Sequence, residues 1–314
     1  TTALEAELGA TPAVSDSHLT ANTEAYQAYL QARFLLNKRG KDNMLKAGVL
    51  FEQAVRLDPT FSKAWSGMAY IYALLPVYGA NISSRQAWDK IKVATGKAIE
   101  FDPENAEAYV ALARGNVEDD FKTILKLYEK AYELAPKNPD VVNLYADFMV
   151  TIGDFKTAER LELEAIDLDP LAAVHYSDIA FVLFPVGRYE EGLEYGRTSA
   201  SLEPGNINRA DPMITGLIMT GRYDEAAPLI EHFEEITDSE TDLINFWWCL
   251  LYYRQDDEQK LREKLAERLE ELENWPGNFY TAMTALYVTW LHGAADGLPI
   301  LKLPAETADW NIST

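Results

Sequence analysis

The sequence predicts an all-α fold, a solenoid of antiparallel helix pairs, on three observations. Gly153, Gly187 and Gly221 stand 34 residues apart, and each is followed two positions later by an aromatic residue, Phe155, Tyr189 or Tyr223. Pro136, Pro170 and Pro204 keep the same step. Small residues fall between these marks in register, Ala158, Gly192 and Ala226, then Ala165 and Ser199. A fixed period of this length signals stacked supersecondary units. Glycine adopts the positive φ that ends one helix, proline blocks continuation of the next, and small side chains let two helices approach closely. Each unit therefore reads helix, turn, helix, stop.

The elements follow in order. A first pair opens near Glu24-Ala25-Tyr26 and closes with Phe51, Ala54 and Asp58-Pro59. A second opens near Ala64-Trp65 and closes with Ala98 and Asp102-Pro103. Pro59 and Pro103 are 44 residues apart, and the surplus over 34 falls around Leu75-Pro76-Val77-Tyr78-Gly79, which predicts an inserted loop between the two helices. Tyr109, Leu112 and Ala113 mark the next first helix, Tyr128 and Ala131 its partner, and three regular units follow. After Phe233 the register decays, leaving helical patterns over about 240–254, 257–273 and 280–291 that predict a cap, because terminal units of a solenoid cover its last apolar face. The expected organisation is an N-terminal extension or linker over 1–21 and about six helix pairs over 22–236. A degenerate repeat with capping helices follows over 237–292, then a tail over 293–314.

The period and these residues resemble the tetratricopeptide repeat family, whose helix pairs stack into a right-handed superhelix. The likeness spans about residues 24–236 and continues in degenerate form to about 290. The first unit, from Asn22-Thr23-Glu24-Ala25-Tyr26 to Leu57-Asp58-Pro59, is also similar to the repeat region at the C-terminus of some bacterial signalling proteins. There an adenylate or guanylate cyclase domain, or a winged-helix regulator, precedes a TolB-like segment and then the repeats. Ala3-Leu4-Glu5-Ala6-Glu7-Leu8 is similar to the end of such a segment, although Ala32 stands where that group commonly has glycine. The absence of an initiator Met and of any cationic residue before Arg33 reads as an excised piece of a longer protein.

Composition narrows function. The 314 residues carry 28 Lys and Arg against 50 Asp and Glu, a net charge of −22, which argues against nucleic acid or anionic lipid as a partner of this segment. Residues 1–100 hold 11 basic and 9 acidic side chains and residues 101–314 hold 17 and 41, so the acidity begins after the first third. No apolar stretch is long enough for membrane insertion. The single cysteine, Cys249, lies in the run Phe246-Trp247-Trp248-Cys249-Leu250-Leu251 and reads as a buried spacer, leaving the compartment open between cytoplasm and periplasm. His18, His175, His232 and His292 share no ligand spacing, so neither a metal nor any cofactor is expected, and His175 reads as a hydrogen-bonded structural residue. Thr95-Gly96-Lys97 lacks the glycine and hydroxyl residue of a phosphate loop, no nucleophile elbow occurs, and no catalytic residue is assigned.

In proteins of the resembled family the first helix of each pair lines the concave surface. By that resemblance the candidate partner-binding residues are Tyr70, Glu107 and Arg114, then Asp140, Asn143 and Asp147. Ser177 and Phe181, with Asp211 and Thr215, continue the series. Relatives that clamp a chaperone's C-terminal carboxylate place cations here; Asn143 and Asp147 exclude that ligand. An acidic groove selects a protein or peptide with Lys or Arg. A non-enzymatic interaction module and a ligand-sensing region controlling an attached cyclase or DNA-binding domain both remain open at this point, as does the oligomeric state.

Overall fold

The structure, a computed structural model, describes residues 20–38, 41–76, 82–116, 120–237, 242–261 and 263–264. Among them there is no strand. The expected extension over 1–21, most of the 257–273 helix, the 280–291 helix and the tail fall largely or wholly outside the described residues, as does the 77–81 part of the inserted loop. No described helix is long and apolar enough to cross a membrane.

The chain divides into two compact units, Thr1–Ala135 and Pro136–Thr314. The first holds α1 (Thr23–Lys38), α2 (Lys41–Leu57), α3 (Ser62–Leu74), α4 (Ser84–Phe101), α5 (Ala106–Arg114) and α6 (Phe121–Leu134). The second holds α7 (Pro139–Thr151), α8 (Phe155–Leu168), α9 (Ala173–Leu183), α10 (Tyr189–Leu202), α11 (Ile207–Met219), α12 (Tyr223–Ile236) and α13 (Asp242–Arg254). Helices pack in sequence-adjacent pairs, and within each unit the first helix of one pair also touches the first helix of the next. The core is a run of alanines and branched residues at these crossings, with Phe51, Phe61, Leu161, Leu193 and Trp247 almost fully enclosed.

The turn after three of the first helices, α7, α9 and α11, repeats one backbone pattern. Gly153, Gly187 and Gly221 have φ near +80°, and the amide after each bonds the carbonyl five residues back, Asp154 to Met149, Arg188 to Leu183 and Arg222 to Leu217. This six-to-one bond satisfies a carbonyl that the helix end would strand. The motif occurs a fourth time where the sequence showed only decay: Asp256 takes φ 59° and Asp257 N bonds Tyr252 O at 3.0 Å. Aspartate tolerates the left-handed region, so the period continues to α13 with its marker residue changed. The second helices α6, α8, α10 and α12 then start in one of two ways, whereas α4 starts on a capping box of Ser83 and Gln86. In Asp120-Phe121-Lys122-Thr123 and Asp154-Phe155-Lys156-Thr157 the aspartate accepts from the threonine amide at 2.8 and 3.1 Å. In the next two units an arginine replaces the cap and pairs with the glutamate three residues on, Arg188 with Glu191 and Arg222 with Glu225.

The turn before three of the first helices, α3, α5 and α9, is fixed by an aromatic. Trp65, Tyr109 and Tyr176 sit six residues after Pro59, Pro103 and Pro170, and each donates its N–H or O–H to that proline's carbonyl, at 2.8, 3.2 and 3.1 Å. A backbone acceptor left over by the turn is thereby satisfied and an aromatic ring is pinned at the same place in three units.

Candidate functional site

The candidate residues occupy three positions on the first helices, four, seven and eleven residues after the unit's proline. Their fates differ by position. At the fourth, Glu107 is half-buried and Asp140 exposed; at the eleventh, Tyr70 and Asp147 are half-buried and Arg114 and Phe181 exposed. At the seventh, Ser66, Val110, Asn143, Ser177 and Asp211 are all buried, and Thr215 in the last unit is buried as well. Asn143, Ser177, Asp211 and Thr215, expected on a binding surface, therefore lie inside. A first helix touches its own partner helix and the first helices beside it, so only a narrow stripe stays open, and the seventh position falls on the face turned to a neighbour.

Some of the buried polar atoms are satisfied locally. Asp211 Oδ1 accepts from Trp247 Nε1 at 2.7 Å and from Thr215 Oγ1 at 3.0 Å. Burial pushes the Asp211 carboxyl up to about 6, the Trp247 and Thr215 bonds opposing it. His175 is buried, but its Nδ1 has no hydrogen-bond partner among the described residues, against the expectation of a bonded histidine; burial lowers its pKa and holds it neutral. Cys249 is 2% exposed and its thiol is pushed up to about 12 by burial, which fits the spacer role.

In the first unit the structure joins one candidate, Glu107, to a residue that was not among them, and brings two others, Arg114 and Tyr70, together. Arg33 on α1 reaches Glu107 on α5 at 3.2 Å, and the Arg114 guanidinium lies 6.0 Å from the centre of the Tyr70 ring. In the second unit Asn143 Nδ2 donates to Glu162 Oε1 at 3.0 Å and to Asp178 Oδ2 at 2.8 Å. Asp147, Glu162 and Asp178 place carboxylate oxygens within 4.8 Å of one another, a donor set of the kind hard cations take. Glu162 has no exposed surface, and burial together with the charges of Asp178 and Asp147 holds its carboxyl well above the usual range, opposed by the Asn143 bond. Glu162 and Asp178 were missed by sequence reasoning. They come from α8 and α9 while Asp147 is on α7, and separations of 15 and 16 residues carry no local pattern.

This arrangement of paired helices is the fold of tetratricopeptide repeat proteins, and comparison with known proteins bears it out. No protein-family model matches the chain. A stretch of 108 residues is 30% identical to small glutamine-rich tetratricopeptide repeat-containing protein 2 of Mycosarcoma maydis, covering 33% of this chain and 31% of that protein. The chain thus spans about a third of that relative's length. The structure of a tetratricopeptide repeat protein from Parabacteroides merdae superposes with a TM-score of 0.54 at 12% identity, over 84% of this chain and 99% of the other. The monomeric mutant of IFIT1, solved with Gppp-AAAA, superposes at 0.67 and 14% identity over 90% and 68% of the two chains. At these identities the likeness concerns the fold.

Proposed function

We propose that the chain is a non-enzymatic protein-interaction module whose second unit receives a basic side chain of a protein or peptide partner. The observation that carries this reading is the group of Asp147, Glu162 and Asp178, three carboxyl groups within 4.8 Å set beside Asn143 on consecutive helices. A lysine or arginine brought to Asp147 and Asp178 gains charge-assisted hydrogen bonds and offsets the repulsion that raises Glu162. The excess of acidic side chains beyond residue 100 steers such a partner toward the unit. Attachment to a larger signalling protein is part of the proposal, and it rests on the similarity of residues 22–59 and 3–8 to such proteins.

The test is titration of the chain with a lysine- and arginine-rich peptide, followed by calorimetry at low and high salt. Asp147→Asn with Asp178→Asn removes two charges without changing shape, and affinity should fall about tenfold, as expected for the loss of charged hydrogen bonds. Asp140→Lys, on the exposed part of the same helix, should weaken binding further at low salt than at high salt. Equal affinity of the double variant and the unaltered chain would refute the reading. Asp211 is left alone in this test because its burial would confuse folding with binding.

A further inference from the structure

Between α9 and α10 lies a cleft of about 360 Å³ lined by Tyr176, Glu191, Glu194, Tyr195 and Thr198. None of these belongs to the carboxyl group of Asp147, Glu162 and Asp178. The two tyrosine rings stand 6.5 Å apart with their planes 38° from each other. Tyr176 is held there by the bond from its hydroxyl to Pro170 O, so one wall is fixed by the turn that starts the helix. Both rings are half-buried, while Glu191 and Glu194 at the rim are exposed.

The charge around the cleft is negative on balance. Arg188 is shared between two carboxylates, 2.7 Å from Glu159 and 2.6 Å from Glu191. Arg197 is likewise shared, 3.5 Å from Glu194 and 3.7 Å from Glu225. Glu225 is also held by Arg222 at 2.7 Å, so three cations face four carboxylates. The Tyr195 hydroxyl registers this: burial raises its pKa first, and Glu191 and Glu159 raise it further against the opposing Arg188.

Paired aromatic faces under an acidic rim attract a cation that carries an aliphatic stem, because the ring quadrupole and the carboxylates act on the charge while the rings cover the methylenes. We infer that this cleft is a second recognition point, accepting the ammonium end of a lysine side chain over the contacting rings of Tyr176 and Tyr195. Lysine fits better than arginine: the acidic groups are already engaged by guanidinium forks, and what is left is a point-charge field over two rings. The inference shares with the proposed function only the basic character of the partner.

The experiment follows the Tyr176 and Tyr195 ring signals of the full chain by NMR during titration with N-acetyl-lysine methylamide. N-acetyl-norleucine methylamide, which has the same stem without the charge, serves as control. The lysine probe should shift both rings saturably at millimolar concentration, and the norleucine probe should bind at least about threefold more weakly, the ratio expected for an exposed cation–π contact. Tyr195→Phe should keep the difference and Tyr195→Leu should abolish it. Equal binding of the two probes, or rings that do not respond to lysine, overturns the inference in the unaltered chain even if Tyr195→Leu does not fold. Asp147→Asn with Asp178→Asn should leave the ring shifts unchanged, which separates failure here from failure of the proposed function.

Discussion

Asp211→Asn should stabilise the protein at neutral pH and do little in acid. The carboxylate is buried between α11 and α13 with hydrogen bonds from Trp247 and Thr215, and burial raises its pKa from 3.8 to about 6 against those bonds. Below pH 3.8 the group is protonated in both the folded and the unfolded chain. As pH rises from about 4 to about 6 the unfolded chain releases this proton while the folded chain still holds it, so stability falls, and the loss is complete above the folded pKa. At about 1.36 kcal/mol per pH unit the full loss is about 3 kcal/mol. Asparagine keeps an oxygen that accepts from Trp247 and Thr215 but never ionises. Urea unfolding of the two proteins side by side should therefore show a gain of up to about 3 kcal/mol at pH 7.5 and only about 0.5 kcal/mol at pH 4. A variant destabilised to the same extent at both pH values would refute the reasoning, since it would mean that the hydrogen-bond geometry, and not the buried charge, decides the site.

Three further outcomes are expected. Asp256→Gly relieves a left-handed residue in the fourth repeat turn and should raise the unfolding free energy by roughly 0.5–1 kcal/mol, whereas Gly196→Ala should cost roughly 1–3 kcal/mol, because its added carbon would lie 2.5 Å from Met213 N on the neighbouring helix; thermal unfolding of each checks both signs. Cys249, buried with its thiol pushed up to about 12, should resist alkylation by iodoacetamide at pH 8 in the native protein and react within minutes in denaturant, as mass spectrometry would show.

The legible part of this chain was the part governed by backbone constraint. Gly153, Gly187 and Gly221 occupy positions with φ near +80°, and the prolines sit where a helix must stop, so each appears at its fixed step in the sequence. Asp256 shows the limit of that reading: the same turn is present, but a residue other than glycine fills it and the signal vanishes. The candidate surface was harder. Positions four and eleven after each proline reach solvent in most units, while position seven is buried throughout, and a helical wheel cannot make this distinction because polar Ser66, Asn143, Ser177 and Asp211 look like surface residues. Asn143 and Asp211 are tolerated inside by hydrogen bonds with Glu162, Asp178 and Trp247 that exist only once the neighbouring helices are in place.

By itself the sequence determined a period, and with it the alternation of helix and turn, because dihedral preferences and side-chain size act within a few residues of where they are written. Tertiary packing decided which side of each helix stays open and which carboxyl groups meet. Asp147, Glu162 and Asp178 are brought together by three helices whose mutual placement depends on the shape of the core, and Tyr176 and Tyr195 face one cleft for the same reason. Proximity between distant residues is a property of how the helices stack, and no single helix encodes it.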